Sequence, residues 1–548
     1  MITAVRRRFP LVVGLCALFM LAGITPVFAD SPSSGGDIAV AQTLGDRELT
    51  VVVRRVTSVP GPLHVDVVTH AGSSSGRLTL DVTPIGTATS PSALPAPGAP
   101  TDRGIVDLGS TPGMYATRIT VDRPGPWELT VGDGQHVTRI PFLVPSQATS
   151  PPENLVYAGF LAAGVLLLVS VVVAARAKRS GWALLPAAGM LMGISVAVTA
   201  AVLSASLPLP PQPGNQLDPT IDNVTNPYAL NPPLISDYSR PPVMLALDGQ
   251  PVTAGKPTDI GMNLIDGATG APVDDLLVND SALIHLLVVG PAGQLWHVHP
   301  IRIAPGRYQV QLTLPESGHY AVSAEVERRG GGVQLVRAAP GLDVLPANST
   351  TAPSVQPDTI GSPLRLGAGP AAVSTVIGAI PITVTTTTPV AGKPTTITAT
   401  VGDTAVLQPW LSMIGHMIVA GPLPSSGGAA IGAAVQNAPL WAHAHSMGGA
   451  MPMAAMPGMS GMPGMAAMPG MSGAPSAGSG MNGMIIAPVN GDSPPDETVA
   501  AYGPDVPFTF TFPIAGRYQL WIQAERNYTV LTIPVVLDVA APAQGAQR

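Results

Sequence analysis

The chain has 548 residues and a formal net charge of −7, with only 11% charged and 4% aromatic side chains but 60 glycines and 61 prolines. A chain of this length holds several domains, since one domain usually has about 100–200 residues. The small acidic charge and the lack of a basic patch argue against nucleic acid as a partner. The many turn residues favour short strands, so the sequence predicts a mainly β protein.

The N-terminus has the pattern of a secretory signal peptide over residues 1–29. Three arginines at 6–8 precede an apolar run at 11–23, and residues 27–29 form a small-residue cleavage site. The only cysteine, Cys16, lies inside this signal. The exported chain is therefore expected to lack disulfides, thiolate metal sites and covalently attached haem.

Residues 36–146 are predicted to form one extracytoplasmic β-sandwich. Short runs rich in β-branched residues and separated by turn residues are the expected strands. His64, Asp66 and His70 fall on or just after one of these runs and are a weaker candidate metal site, although Asp66 is equally well explained as a solvated edge charge. The six runs are 48–55, 63–68, 77–82, 115–121, 127–131 and 136–144.

Two apolar stretches, 155–175 and 182–203, follow this domain. Each has about 20 residues without a charge, the length that spans a bilayer as a helix. The short basic turn between them, residues 176–181, is placed in the cytoplasm by the positive-inside rule. The prediction is a bacterial cell-membrane protein with its N-terminal and C-terminal domains outside. The Pro-rich segment 207–242 is the expected linker to the C-terminal domains.

The remainder of the chain is an internal duplication. Residues 243–346 and 379–540 are predicted to be two copies of one β-domain, separated by a linker at 347–378. The copies share five blocks of sequence in the same order. These are Ala-Gly-Lys-Pro-Thr at 254 and 391, a His followed by Gly-Pro at 285 and 416, a Trp with His-x-His at 296 and 441, Pro-x-x-Gly-x-Tyr at 315 and 513, and Ala-Glu at 324 and 524.

The second copy differs by a long insertion after its His-x-His motif. Sixteen residues separate His299 from Pro315 in the first copy, and sixty-eight separate His445 from Pro513 in the second. The insertion contains a Met-rich loop (residues 446–484), in which Met-Pro-Gly-Met occurs three times with a period of six. Gly and Pro break helices and strands, so this loop is predicted to be disordered. Its alternative role is a plain linker.

The histidines and methionines of the repeats are the candidate metal ligands. Alternate residues of a strand share a face, so each His-x-His pair can bind one ion together with the histidine of a neighbouring strand. Three imidazoles suit Cu(II) or Zn, and thioethers favour Cu(I). The alternative for each histidine is a polar residue on a half-buried sheet. The candidates are His285, His297, His299, His416, His443, His445, Met447, Met451, Met453, Met456, Met459, Met462, Met465, Met468 and Met471, with Met481 and Met484 in the same loop.

One difference separates the two His-x-His motifs. Trp296 directly precedes His297, whereas Ala442 stands between Trp441 and His443. A β-bulge at Ala442 would restore the same phase in both copies. Without a bulge, the two sites are not expected to be equivalent.

The duplicated blocks also carry a resemblance to a known family. The Pro, Gly, Tyr and strand pattern at 315–327 and 513–525, and the Pro-Gly-Pro-Trp-Glu-Leu-Thr-Val run at 124–131, resemble the bacterial extracytoplasmic β-domains called YtkA-like or FixH-like. Members of these families are often fused to, or found beside, copper-handling proteins of the CopC and CopD kind. The resemblance implies three immunoglobulin-like β-sandwich domains and a connection to copper. The chain departs from CopC in its mature N-terminus and from CopD in lacking a multi-helix membrane core.

The sequence therefore predicts a membrane-anchored copper-binding protein for sequestration, tolerance or delivery, with Cu(I) on the Met-rich loop and Cu(II) on the His-x-His sites. The membrane and another copper protein are its expected partners. The alternative is a structural protein without metal, an anchored array of β-sandwiches that binds another envelope protein. An enzyme is not expected, because no nucleophile with a base and no suitably spaced pair of carboxylates is present. Neither haem nor a nucleotide is expected as a cofactor.

Overall fold

The computed structural model describes residues 37–56, 59–85, 99–144, 151–177, 180–206, 242–328, 332–347, 361–424, 430–446 and 495–543. The predicted signal peptide, nearly all of the 207–242 linker and the Met-rich loop beyond Ser446 lie outside these ranges. The described residues belong to two compact units. One contains a pair of helices, and the other contains the N-terminal domain and both repeats.

The N-terminal domain consists of eight strands in two antiparallel sheets. The strands are β1 (Ile38–Leu44), β2 (Arg47–Val53), β3 (Gly61–Thr69), β4 (Gly76–Pro84), β5 (Asp102–Leu108), β6 (Gly113–Val121), β7 (Gly125–Gly132) and β8 (Val137–Val144). One sheet has the order β1-β2-β3-β6 and the other β5-β4-β7-β8. Alternate Val, Leu and Ile side chains and the fully buried Trp127 form the core.

The prediction of six strands in this domain was wrong, because β1 and β5 were missed. β1 is buried along its whole length, and it lies against the first repeat, where the Thr43 amide donates to the His299 carbonyl at 2.7 Å. A strand covered on both faces shows no alternation of apolar and polar residues. In β5, buried and exposed residues do alternate. Its exposed residues include charges that pair across the sheet, as in Arg103 with Asp81 at 2.5 Å, and these charges give the strand a polar composition.

Two helices, α1 (Pro151–Arg176) and α2 (Leu184–Ser206), form the other unit. They pack on each other through small residues. A Cβ added to Gly159 would lie 2.8 Å from the carbonyl oxygen of Gly193, so these glycines allow the two backbones to approach closely. Both helices are long and apolar enough to cross a membrane. The two predicted spans thus fall on helices of suitable length.

The first repeat has eleven strands. They are β9 (Val243–Leu247), β10 (Val252–Thr253), β11 (Thr258–Asp266), β12 (Leu276–Leu277), β13 (His285–Val289), β14 (Leu295–Val298), β15 (Ile301–Ala304), β16 (Arg307–Leu312), β17 (Gly318–Arg328), β18 (Gly332–Arg337) and β19 (Leu342–Leu345). One sheet has the order β15-β16-β11-β9. The other has the order β10-β19-β17-β13-β14, and β12 and β18 also pair with β17.

The second repeat has ten strands and one short helix. They are β20 (Leu364–Leu366), β21 (Ala371–Ile377), β22 (Ile380–Thr386), β23 (Pro394–Val401), β24 (Leu407–Gln408), β25 (Gly415–Leu423), α3 (Ile431–Gln436), β26 (Leu440–Ser446), β27 (Asp505–Thr511), β28 (Gly516–Arg526) and β29 (Thr529–Val539). One sheet has the order β21-β22-β23-β27. The other has the order β20-β29-β28-β25-β26, with β24 on β28.

The second repeat begins earlier than the sequence suggested. The predicted linker at 347–378 contains β20, which pairs in parallel with β29, and β21, which pairs with β22. Gly, Ala and Pro between these strands made the segment resemble a linker. The boundary therefore moves from residue 379 to about Leu364.

The two repeats pack against each other as equivalent partners. Each contributes a turn with two residues at positive φ, and the serines of these turns, Ser281 and Ser412, bring their hydroxyl oxygens to 2.6 Å from each other. Beside them, Trp441 and Trp521 of the second repeat are buried with Leu287 of the first. Because equivalent serines meet each other, the repeats are related by an approximate two-fold axis that passes between them.

A buried ion-pair network joins the N-terminal domain to the first repeat. The guanidinium of Arg302 donates to Asp274 Oδ2 at 2.6 Å and to Glu128 Oε2 at 3.0 Å. All three side chains are at most 10% exposed. Removal of one partner from such a pair leaves an uncompensated buried charge.

We expect Arg302→Ala to lower the free energy of unfolding by about 3–5 kcal/mol, because Asp274 would stay buried without its cation, whereas Glu128 would keep its ion pair with Arg139. Denaturant titration of the purified protein measures this change. Arg77→Ala is the control, because Arg77 and Asp107 form an exposed ion pair. This substitution should have little effect on the free energy of unfolding. Equal effects of the two substitutions would contradict the role given to Arg302.

Candidate metal centre

Six of the ten histidines of the chain come together between the two repeats. In each group of three, one ring nitrogen from every residue lies within 4.8 Å of the other two. We call these groups the first and second triads. The first triad is His285, His297 and His299, and the second is His416, His443 and His445.

The strand pairing explains how each triad assembles. In the second repeat, β25 and β26 pair with His416 directly opposite His445. His443 lies two residues before His445 and so shares its face of the sheet. In the first repeat, β13 and β14 pair with Leu287 opposite His297, which brings His297 beside His285 in the same way.

No β-bulge occurs at Ala442, because the register of β25 and β26 is continuous from Gly415 to Gly421. The histidines of the two copies are nevertheless in equivalent register, although the surroundings of the two triads differ. His443 is opposite Ile418 just as His297 is opposite Leu287, and both partners lie two residues after the histidine of the neighbouring strand. It is the tryptophans, not the histidines, that differ in position.

Each ring of the first triad directs one nitrogen away from the other two rings and toward an oxygen. His285 Nε2 is 2.9 Å from the carbonyl oxygen of Asn279, and His297 Nδ1 is 2.9 Å from Gln523 Oε1. His299 Nδ1 is 2.5 Å from Glu48 Oε1. Metal-binding histidines usually donate their second N–H to such an acceptor, which fixes the ring and the tautomer.

The second triad repeats this arrangement at one ring only. His416 Nε2 is 3.1 Å from the carbonyl oxygen of Trp410. His443 Nδ1 lies 3.4 Å from Glu325 Oε1 and His445 Nε2 lies 3.6 Å from Asp280 Oδ2, and neither nitrogen has a hydrogen-bond partner among the described residues. Asp280, Glu325 and His445 also form a third group of possible ligands within 4.8 Å of one another, which shares His445 with the second triad.

The remaining nitrogens face each other inside the triads. His285 Nδ1 is 3.2 Å from His297 Nε2, and His416 Nδ1 is 3.1 Å from His443 Nε2. A neutral imidazole has one N–H, so a ring that donates outward has only a lone pair on its inner nitrogen. In each pair, one ring therefore presents a lone pair, and the other ring can donate its inner N–H to it. With the proton of the second ring at its outer nitrogen instead, two lone pairs would face each other and could bind one ion together.

Four of these rings are held in the neutral form that binds metals. Burial lowers the pKa of His285, His297, His416 and His443 well below the usual value, and the neighbouring histidines lower it further. A proton therefore competes weakly for their inner nitrogens. In addition, the buried Nε2 of His299 has no hydrogen-bond partner.

A tryptophan that the sequence analysis did not identify forms one wall of the cluster. The ring of Trp410 is 5.1 Å from the rings of both His297 and His416, in edge contacts. Trp410 is 2% exposed. It therefore contacts both triads and excludes water from them.

Four further residues around the cluster were also missed. Glu325 and Gln523 lie opposite His285 and His416 in equivalent strands. The fifth shared block matched Glu325 to Glu525, which lies two residues from the structural counterpart, Gln523. Asp280 occupies a turn before β13 and gave no pattern. Glu48 belongs to another domain, so no local spacing could have linked it to His299.

The weaker candidate site in the N-terminal domain does not form. Asp66 accepts from Arg54 at 2.6 Å, His64 is exposed, and His70 turns toward the second repeat. His70 Nδ1 is 2.5 Å from Glu525 Oε1, and its Nε2 is 3.7 Å from Glu497 Oε2. Within the described ranges, the three residues have separate partners.

Both ends of the insertion in the second repeat are fixed beside the second triad. At its start, Ser446 follows His445 at the end of β26. At its return, Glu497 Oε1 accepts from the amide of Leu411 at 3.2 Å, next to Trp410. The predicted methionine ligands themselves lie outside the described residues. They are Met447, Met451, Met453, Met456, Met459, Met462, Met465, Met468 and Met471.

No protein-family model matches the chain, and no curated protein matches its sequence. Among solved structures, the chain is similar to native α2-macroglobulin of Escherichia coli, with 11% identity, 91% of this chain and 26% of that chain covered, and a TM-score of 0.15. The chain thus spans about a quarter of the macroglobulin.

Two further solved structures cover more of their own length. A putative membrane-anchored protein from Corynebacterium diphtheriae has 8% identity, coverage of 91% and 93%, and a TM-score of 0.14. The bacterial integrin-binding protein invasin has 8% identity, coverage of 92% and 59%, and a TM-score of 0.12. Similarities this low carry no argument about function. None of the three is named as a copper protein, so the resemblance to YtkA-like and FixH-like domains stays a prediction.

The buried contact of His70 makes stability depend on pH. Burial lowers the pKa of His70, but the charge and hydrogen bond of Glu525 and the charge of Glu497 outweigh burial and raise it from 6.5 to about 9. Burial raises the pKa of Glu497 from 4.5 to about 7. Both groups bind protons more strongly in the folded protein, so stability falls as the pH rises through these ranges.

We therefore expect the wild type to lose stability relative to His70→Gln as the pH rises from about 6.5 to 9. Thermal unfolding of both proteins across pH 5–9 measures the difference. His64→Gln is the matched control, because His64 is exposed, and it should follow the wild type. A constant difference between wild type and His70→Gln over this range would contradict the raised pKa.

Proposed function

We propose that the protein is a membrane-anchored, extracytoplasmic copper-binding protein. The observation that supports this best is the pair of facing inner nitrogens in each triad, 3.2 and 3.1 Å apart, on rings whose outer nitrogens point to oxygen atoms. Unprotonated imidazoles with fixed outer partners are the usual state of histidine metal ligands. An ion at each triad would be coordinated by both inner nitrogens when each ring carries its N–H at the outer nitrogen.

The position of the Met-rich loop favours copper over zinc. Imidazole binds both metals, but thioethers select Cu(I). The loop starts directly after His445 and returns beside Leu411, so its sulfur atoms are tethered to the second triad by a short chain. Thioethers collect Cu(I), and the histidines bind copper in either oxidation state. This arrangement suits sequestration, tolerance or delivery.

The proposed location is a bacterial cell membrane. The two apolar helices of spanning length support it, and the positive-inside rule, applied to the basic turn at 176–181, favours an orientation with both flanking parts outside. The N-terminal sequence of a secretory signal agrees with that orientation. The three β-domains are of the immunoglobulin-like, YtkA-like or FixH-like kind, and the partner is another copper protein of the envelope.

The histidine site is tested by removing one ligand from each triad. We expect His299→Ala together with His445→Ala to weaken Cu(II) binding by at least about tenfold, because even the loss of a supporting group costs 10–100-fold. Competition titration with a Cu(II) chelator measures the affinity. Both residues lie toward the ends of their strands, so the sheets should remain intact, which circular dichroism checks.

The control removes two histidines that lie outside the cluster. His64 is exposed, and His319 pairs with Asp343 at 2.8 Å. We expect His64→Ala with His319→Ala to bind Cu(II) like the wild type. If both double variants bind equally well, the triads do not hold copper. The protein would then be better described as an anchored structural array.

The Met-rich loop is tested separately with Cu(I) under anaerobic conditions. Replacement of its methionines by leucine keeps the length and apolar character but removes the thioethers. We expect this variant to lose several equivalents of Cu(I) while its Cu(II) affinity stays unchanged, since thioethers prefer the softer ion. Deletion of residues 448–484 should give the same result. Retention of Cu(I) by both variants would contradict a role for the loop.

A further inference from the structure

The six histidines form one continuous cluster and not two separated sites. Within the first triad, the ring centroids are 5.2–5.4 Å apart. Between the triads, His297 is 5.1 Å from His443, His285 is 5.4 Å from His443, and His297 is 5.6 Å from His416. Rings of different repeats are thus as close as rings of the same repeat.

The approximate two-fold axis passes through this cluster. His297 and His443 are equivalent residues of the two repeats and face each other. The outer nitrogen of each of these two histidines faces a residue of the other repeat. His297 of the first repeat contacts Gln523 of the second, and His443 of the second lies near Glu325 of the first. Each triad is therefore completed by a residue of the other repeat.

One buried carboxylate, Glu325, and two partly buried ones, Glu48 and Asp280, surround the cluster. Glu48, Glu325 and Asp280 approach the outer nitrogens of His299, His443 and His445. Across the part of the chain that the structure describes, no lysine or arginine forms an ion pair with any of these three carboxylates. Buried carboxylates need a nearby positive charge, and cations within the cluster would supply it to both triads.

We infer that the cluster binds a pair of copper ions as one dinuclear centre, with one ion in each triad. This inference rests on the proposed function. It adds that the protein binds two neighbouring copper ions and not isolated ones. Imidazole nitrogens hold such ions at about 2 Å, so ions bound to His297 and His443 would lie on the order of 10 Å apart or less. Two Cu(II) ions at that separation interact magnetically.

The two ions would differ in their access to solvent. The side chain of His299 is 1% exposed and covered by Glu48 of the N-terminal domain. The side chain of His445 is 22% exposed and lies where the Met-rich loop begins. The second triad is therefore the more accessible side of the centre, and the first triad is the enclosed side.

Electron paramagnetic resonance of the full-length protein in detergent tests the inference. Cu(II) is added in steps to the wild type, and bound copper is measured independently. We expect two tightly bound equivalents, and we expect the second to broaden the spectrum by dipolar coupling and to add a half-field signal. His299→Ala and His445→Ala should each bind one tight equivalent with the narrow spectrum of an isolated ion and no half-field signal. His64→Ala is the control and should match the wild type.

The other outcomes separate this inference from the proposed function. Two tight equivalents whose spectra simply add would show isolated ions and overturn the dinuclear centre. A single tight equivalent in the wild type would also overturn it, while copper binding itself would stand. The wild-type titration gives these answers even if a variant fails to fold. Absence of tight Cu(II) binding to the wild type would remove the proposed function together with the inference.

Discussion

Two pairs of buried imidazole nitrogens, 3.2 and 3.1 Å apart, are the constraint on which the centre of this protein depends. In each pair, a backbone carbonyl at the outer nitrogen of one ring fixes its proton there and leaves a lone pair inside. That lone pair needs a partner, which is either the N–H of the neighbouring ring or a cation bound by both rings. The two rings stay close because they lie on paired strands that cannot move apart independently.

Several parts of the chain must assemble before this site exists. The rings come from β13, β14, β25 and β26, and the outer acceptors come from both repeats and from the N-terminal domain. Glu48 is the clearest case, since it reaches His299 from β2. A ligand that binds only the assembled form stabilises it. Copper and the association of the N-terminal domain with the repeats should therefore support each other.

Much of each triad could be predicted from the sequence, but the contact between the two triads could not. Spacing alone shows that His443 and His445 share a face of a strand, and the duplication points to His416 beside them. That the triads adjoin depends on the packing of Trp441 and Trp521 at the interface between the repeats, which no local pattern reveals. The same limit explains why β1, covered on both faces, was missed.

The two repeats keep the positions of the histidines but differ in what surrounds them. The outer nitrogens of His285 and His416 both face backbone carbonyls, whereas Asp280 has Leu411 as its counterpart and Glu325 has Gln523. The first repeat thus supplies acidic residues to the histidines of the second, and the N-terminal domain supplies Glu48 to those of the first. An approximately symmetric cluster acquires one enclosed and one accessible side in this way.

The most direct test of the central claim is to locate copper by anomalous X-ray diffraction at the copper absorption edge. Crystals of the copper-loaded protein should show anomalous peaks between the inner nitrogens of His285 and His297 and between those of His416 and His443. Peaks at these positions would establish that the repeats hold copper at their interface. Well-ordered histidines with no peak beside them, or copper only at other residues, would contradict the account.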